Sequence, residues 1–308
     1  MLASVVRLRR SGTRTVLVMG ELRFDGRVAI VTGGGGGLGR CHALLLAARG
    51  AAVVVNDVDA ARADQTAKEI ADEGGSAVGL GGDVAAAEVG EALAALAVDA
   101  FGTVDIVVNN AGIIRDRAFH NLSDSELDAV LGVHVRGAFN VTRPAWRVMR
   151  EAGYGRVLVT TSAAGIWGNF GQTNYAAAKS ALIGLSHTLA LEGARYGITA
   201  NAIAPVAATA MTDGLLGKLT DIADPALVSP AVAWLCHESC DVTGHVYSVG
   251  GGRIARVVTT LTPGFVSKDA PLTAEAIRDN WAAISAAEPG QVALTMTDDF
   301  RALRNALR

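Results

Sequence analysis

The amino-acid sequence predicts one α/β domain: a doubly wound sheet of seven parallel strands with helices on both faces, followed by a helical C-terminal extension. Three observations carry this. Short β-branched apolar runs alternate with segments of helical period along most of the chain, as a parallel sheet covered on both faces requires. The first run, Val28 to Thr32, passes at once through Gly33-Gly34-Gly35-Gly36-Gly37-Leu38-Gly39 into a helical stretch, and a strand that turns through glycines into a helix N-terminus makes an anion site. Finally, a chain of 308 residues, 50% of them hydrophobic, can bury one large core without being split.

In order, the strands are expected at 28-32, 52-56, 77-80, 104-109, 156-161, 198-203 and 245-249, each a short apolar run bounded by glycine or polar residues. Helices are expected near 38-49, 60-73, 88-100, 124-150, 173-195 and 229-238, where the apolar period lengthens to that of a helix. After the last strand about fifty residues remain, and Thr273-Ala274-Glu275 opens a helix with Ile277, Trp281 and Ile284 on one face. The expected divisions are an extension over 1-22, a nucleotide-binding domain over 23-256 and a C-terminal extension over 257-308. The first of these carries Arg7, Arg9, Arg10 and Arg14 before any acid. It reads either as a transit segment or as a dispensable extension upstream of a start at Met19.

Two constellations carry chemistry. Ser162 closes the run Arg156 to Thr161, Tyr175 follows it by thirteen residues, and Lys179 follows the tyrosine by four. On a helix that last spacing puts phenol and ammonium on one face, a turn apart. A cation about 4 Å away contributes on the order of 4 kcal/mol at intermediate dielectric, so the lysine is expected to depress the phenol pKa from its usual ~10. A tyrosine so placed can give or take a hydroxyl proton, with Ser162 holding the substrate oxygen. Alone, Tyr-x-x-x-Lys also occurs by chance. The second constellation is the glycine turn with Asp57, which ends the next strand eighteen residues after Gly39, where a carboxylate can accept hydrogen bonds from an adenosine ribose. The plainer reading is a surface acid at the start of the helix near Asp59.

Thr32-Gly33-x-x-x-Gly37-x-Gly39, Asp83-Val84, Asn109-Asn110-Ala111-Gly112, Ser162, Tyr175 and Lys179 occur in this order. Together they resemble the short-chain dehydrogenase/reductase superfamily from about residue 23 to 253. Phe24 to Val28, Val53 to Asp57, Asn109 to Arg117, Gly168 to Gln172 and Trp234 to Cys240 narrow the likeness to the (3R)-hydroxyacyl-CoA dehydrogenase module of the type 2 peroxisomal multifunctional enzymes. The resemblance implies a Rossmann-type domain and NAD as cofactor. Gly33, Gly37, Leu38 and Gly39 would line the pyrophosphate and Asp57 would bind the adenosine ribose. Asp83 and Val84 would lie by the adenine, and Asn110, Ala111 and Gly112 beside the nicotinamide ribose. Tyr175 would be the acid/base, Lys179 would hold the nicotinamide ribose, and Ser162 would fix the substrate oxygen. It also implies an acyl-CoA substrate and a homodimer or homotetramer, with the C-terminal tail near the substrate cleft.

Three departures from the superfamily pattern stand out. His134 occupies a helix position where most members carry asparagine and where the multifunctional-enzyme branch has histidine; it reads either as part of a proton relay or as a satisfied structural residue. The usual Pro-Gly after the sixth strand is Ala204-Pro205-Val206, which bears on the cofactor contacts expected of Val206 and Thr209. The glycine-rich insertion after the counterpart of Asp57 is missing, so the adenosine edge is expected to be more open.

Composition narrows the partners. A net charge of -3 without a basic stripe argues against nucleic acid, and no apolar run approaches the ~18 residues of a membrane span. Cys41, Cys236 and Cys240 are odd in number, which suits a reducing, cytoplasmic setting. Cys236-His237-x-x-Cys240 lacks a second ligand pair nearby, so no metal is expected and a helix with buried thiols is. The expected activity is NAD-dependent oxidation of 3-hydroxyacyl-CoA thioesters, fatty or sterol-derived. The alternatives are an NADPH-linked reductase of 3-oxoacyl carriers or ketosteroids, and a nucleotide sensor without chemistry.

Overall fold

The computed structural model describes residues 20-208, 223-267, 271-286 and 290-292, with Arg301 and Asn305. Of the expected features, residues 1-19 and Thr209 lie outside the described residues.

Strand β1 (Val28–Thr32) is buried along its whole length, and its alternation decides the layers. Ala29 and Val31 face a cluster with Leu46 of α1 (Gly37–Ala48), Ile70 of α2 (Ala60–Asp72) and Val232 and Leu235 of α8 (Ser229–Cys236). Val28 and Ile30 face the other side, with Leu93 of α3 (Ala87–Phe101), Val141 and Met149 of α5 (Gly137–Ala152) and Ala190 of α7 (Thr173–Gly193). Ile30 and Met149 are fully buried, so truncating either to alanine costs about 2–5 kcal/mol. The remaining sheet strands are β2 (Ala52–Asp57), β3 (Ser76–Gly81), β4 (Ile106–Asn109), β5 (Gly155–Thr160), β6 (Ile198–Pro205), β7 (Val246–Gly250) and β8 (Arg253–Val257).

The strand order is β3-β2-β1-β4-β5-β6-β7-β8. Winding reverses between β1 and β4, which pair in parallel, and a ligand crevice opens at the carboxyl ends of strands at such a switch point. Seven strands are parallel, as expected. The eighth is the difference: β8 pairs antiparallel with β7 through Gly251 and Gly252, both left-handed at φ 56 and 76. Two such residues make the tight hairpin turn that suits twisted strands.

The expected helix over 124-150 is also divided. α4 (Asp124–Leu131) is separated from α5 by a π-helical turn, Gly132–Arg136. Glycines at 132 and 137 bracket this wider turn, and a Cβ at Gly137 would strike the Val84 side chain. A further short helix, α6 (Ala163–Trp167), follows Ser162, which caps it. The C-terminal extension forms α9 (Ala274–Asp279) and α10 (Trp281–Ile284) in place of one helix, with a small pair of β9 (Thr260–Leu261) and β10 (Gln291–Val292).

Candidate active site

The glycine turn is shaped by close approaches. Gly33 is left-handed at φ 62, and a Cβ at Gly39 would run into the Gly33 carbonyl, so α1 can start this near the strand only with glycine there. The N-cap of α1, Gly36, offers no side-chain cap, which leaves first-turn amides for an anion. Asn110 and Ala111 buttress the turn from β4: both backbone N–H groups donate to Thr32 Oγ1 at 3.0 Å, and Asn110 Nδ2 donates to the Thr32 carbonyl at 3.0 Å.

Asp57 ends β2 with 9% exposure, and its two oxygens accept the N–H groups of Gly35 and Asp59, each at 3.1 Å. It faces the glycine turn, not open solvent, which favours the ribose-binding reading over that of a surface acid. The adenosine edge is less open than expected, however. Arg62, near the start of α2, donates from Nε to the Gly35 carbonyl at 3.3 Å, and a Cβ at Gly36 would collide with its guanidinium. Sequence reasoning missed this residue. The available signal was Asp59, whose side chain caps α2 through the Ala61 N–H and so puts Arg62 in the first turn, beside the glycines.

Asp83 is exposed, with Oδ1 capping Ala85 N–H at 2.9 Å. The Val84 side chain turns into the core, and its carbonyl is held by Asn140 Nδ2 at 2.9 Å. Val206 is half-buried, with its N–H on the Val249 carbonyl at 2.7 Å. The cradle and the Asp57 carboxylate fit a nicotinamide dinucleotide.

Beside this crevice, at the end of β5, Ser162 Oγ accepts the N–H of Ala164 at 3.2 Å, which leaves its own proton free to donate. Lys179 Nζ is buried and donates to the Thr160 carbonyl at 2.6 Å, 5.5 Å from the centroid of the Tyr175 ring. The three side chains do converge. The expected depression of the phenol pKa is overturned: burial holds Tyr175 above its ordinary value, against a lowering hydrogen bond from Ser162, and the Asp116 carboxylate adds to the rise. Desolvation lowers Lys179 to about 7. The physical reason is that the ammonium is anchored on the β5 carbonyl, while both groups lose water.

His134 lies on the π turn, edge-on to the Tyr175 ring at 5.3 Å between centroids. Its Nε2 is 2.8 Å from the Ile113 carbonyl oxygen and 3.1 Å from the Ile113 nitrogen, and Nδ1 is buried without a partner among the described residues. Burial, then the Lys179 charge, push its pKa down to about 3, so the ring is neutral. The Gly112 position is confined by it, since a Cβ there would strike the imidazole. The loop after β4 is also stitched to the loop before Tyr175: Arg117 N–H donates to the Gly171 carbonyl at 2.8 Å, Gln172 Nε2 to Asp116 at 2.8 Å and Asn174 Nδ2 to the Arg115 carbonyl at 2.9 Å.

Elsewhere, Cys236 and Cys240 are buried core thiols. His237 uses both ring nitrogens on the backbone, Nε2 at 3.0 Å from the Arg23 carbonyl and Nδ1 accepting Ser239 N–H at 3.1 Å. Among the described residues no helix is long and apolar enough to cross a membrane.

Known proteins agree with this geometry. The family profile described as short chain dehydrogenase matches residues 27–218. Peroxisomal multifunctional enzyme type 2 of Mus musculus is 48% identical over 272 residues, 84% of this chain and 37% of that protein. Hydroxyacyl-CoA dehydrogenase ChsB1 of Mycobacterium tuberculosis is 43% identical over 262 residues, 76% of this chain and 80% of that protein. The structure of full-length peroxisomal multifunctional enzyme type 2 from Drosophila melanogaster superposes with a TM-score of 0.78 at 38% identity, covering 93% of this chain and 50% of that chain. The chain thus spans well under half the length of the mouse relative. A match over so much of the chain, on a fold and a site that agree with it, shows that the chain belongs to the short-chain dehydrogenase family, oxidoreductases that act on CH–OH groups with a nicotinamide cofactor.

Proposed function

We propose that the protein is an NAD-dependent dehydrogenase of 3-hydroxyacyl-CoA thioesters, specific for the 3R configuration. The observation that carries this is the convergence of Ser162, Tyr175 and Lys179 beside a dinucleotide cradle that ends in a carboxylate, Asp57, in a chain similar to a named hydroxyacyl-CoA dehydrogenase. A carboxylate at the ribose favours NAD. Ser162 donates to the substrate oxygen, and Tyr175 exchanges the hydroxyl proton at its phenol oxygen. Lys179, with a pKa near 7, can pass protons at neutral pH. A bound nicotinamide dinucleotide supplies hydride acceptance. The chain supplies orientation and the proton path.

Asp83 at the adenine edge, Asn110 to Gly112 at the inner wall, and Gly33, Gly37, Leu38 and Gly39 at the pyrophosphate complete the proposed cofactor contacts. A homodimer in a reducing, cytoplasmic setting is part of the same proposal, supported by the three free cysteines and by the apolar surfaces discussed below. Assays over straight-chain and sterol-derived thioesters, with NAD and NADP side by side, test it. Oxidation of a 3R-hydroxyacyl thioester with NAD preferred is expected; a 3S-selective enzyme, or one that prefers NADP, would overturn it.

A further inference from the structure

A separate cavity, of about 160 Å³, opens where α7 meets the β7–β8 hairpin. Ile183, Val246 and Val257 give it apolar walls, and three basic side chains line it as well: His187 of α7, His245 just before β7, and Arg256 of β8. The hairpin assembles the last two. Tyr247 stands opposite Arg256 in the antiparallel register, and His245, two residues earlier, sets Nδ1 3.1 Å from the Tyr247 phenol oxygen. That leaves His245 Nε2 and both His187 ring nitrogens uncommitted, and among the described residues no carboxylate lines the cavity or pairs with Arg256. Burial holds both imidazoles below the ordinary histidine value, and at His245 the charges of Arg256 and His187 add to the lowering. Basic groups gathered on apolar walls without an acid repel one another, and an anion among them would relieve the repulsion. Arg256 is exposed and the two histidines are half-buried, so a solute can reach all three.

We propose that this cavity binds a small carboxylate with an apolar body, a free acid of a few carbons. The Arg256 fork and the imidazole N–H groups suit the carboxylate oxygens, and Ile183, Val246 and Val257 suit the hydrocarbon. An acyl thioester carries no charge at the same place, so the cavity tells a free acid from its thioester. Ile183 follows Lys179 by one turn on α7, so a bound acid rests against the helix that carries Tyr175 and Lys179. None of the residues placed at the crevice lines this cavity, and the inference therefore stands or falls apart from the dehydrogenase reading.

Calorimetric titration of the full chain with hexanoate, hexanamide and inorganic phosphate tests this, with the ring-proton resonances of His187 and His245 followed by NMR. Hexanoate is expected to bind and to shift both resonances. Hexanamide, which keeps the body without the charge, and phosphate, which keeps the charge without the body, should each bind at least about tenfold more weakly, the scale of one charged hydrogen bond. A carboxylate ionised throughout this range favours charged imidazoles, so hexanoate affinity should rise at least about threefold from about pH 8 to about pH 6. Arg256→Gln and His187→Gln should each weaken hexanoate by about tenfold and leave NAD affinity near that of wild type. The resonance shifts of the wild-type chain decide the outcome if either variant misfolds. Shifts confined to other histidines, equal affinity for hexanamide, an affinity indifferent to pH, or displacement of hexanoate by NAD would overturn the site. Phosphate bound as tightly as hexanoate would overturn the class of ligand.

Discussion

Tyr175 keeps its proton in the folded chain because burial outweighs the help of Ser162. Removing only the hydroxyl isolates its role. Tyr175→Phe is expected to lower turnover by at least about 10²-fold, the scale of a lost positioned proton donor, while NAD affinity measured by titration stays near that of wild type. Wild-type turnover in this variant would end the proposed mechanism. His134 offers a second measurement. Its folded pKa is about 3, below the ordinary value, so between those values the unfolded chain binds a proton that the folded chain does not. Stability therefore falls as pH drops from about 6.5 towards 3, on the order of 1.4 kcal/mol per pH unit per histidine. His42, buried and also lowered to about 3, adds a similar slope. His187 and His245 are also lowered by burial, so His134→Asn should remove one share of the slope and leave the others, read as a shallower fall of the urea midpoint between pH 7 and 5. An unchanged slope would mean that the His134 ring is not held neutral. Identity and spacing made Ser162, Tyr175, Lys179 and Asp57 legible in the sequence. The direction of the phenol shift was not legible, because it depends on how much water each group loses. Arg62 escaped for a different reason: the start of α2 was legible, but the return of its side chain onto the Gly35 carbonyl is a contact between two segments that no residue pattern states.

The π turn between α4 and α5 shows how an element can hide. Apolar spacing continues from Leu127 through Val130 to Val141, so periodicity alone joins the two helices, and a single wider turn leaves only a small phase change for it to register. Yet that turn sets the His134 ring against Tyr175. Its anchor is the amino end of α4, where Ser123 and Glu126 form a reciprocal capping box. Glu126 also holds Arg117 in an ion pair at 3.1 Å. Ser123→Ala should cost about 1 kcal/mol of stability, as the loss of such a cap does, measured as a drop in denaturant midpoint with an unchanged slope. No measurable change would show that α4 is fixed by packing alone. The hairpin at Gly251 and Gly252 was missed in the same manner: the glycines read as the end of a strand, and only their left-handed conformation reveals that the chain doubles back into β8.

At the scale of the molecule, the single chain leaves apolar surface in water. Phe139 on α5 and Leu191 on α7 are 42% and 57% exposed, and in the tail Leu272 and Trp281 are 62% and 59% exposed. Ile277 and Ile284 are only half-buried. We propose that a second copy of the chain covers this surface. We therefore expect a homodimer by sedimentation, with the tail packed beside the acyl site of its own or the partner subunit. β8 must survive any truncation that tests this, since its pairing with β7 closes the sheet edge, so the chain is cut after Val258. The shortened enzyme should show a raised KM for long thioesters and a smaller rise for short ones, because remote contacts on the acyl chain are lost while Ser162, Tyr175 and Lys179 stay in place. Identical kinetics across chain lengths would show that the tail does not touch substrate. A truncated chain that sediments as a monomer, with every KM raised alike, would place the tail at the subunit interface and away from the acyl group.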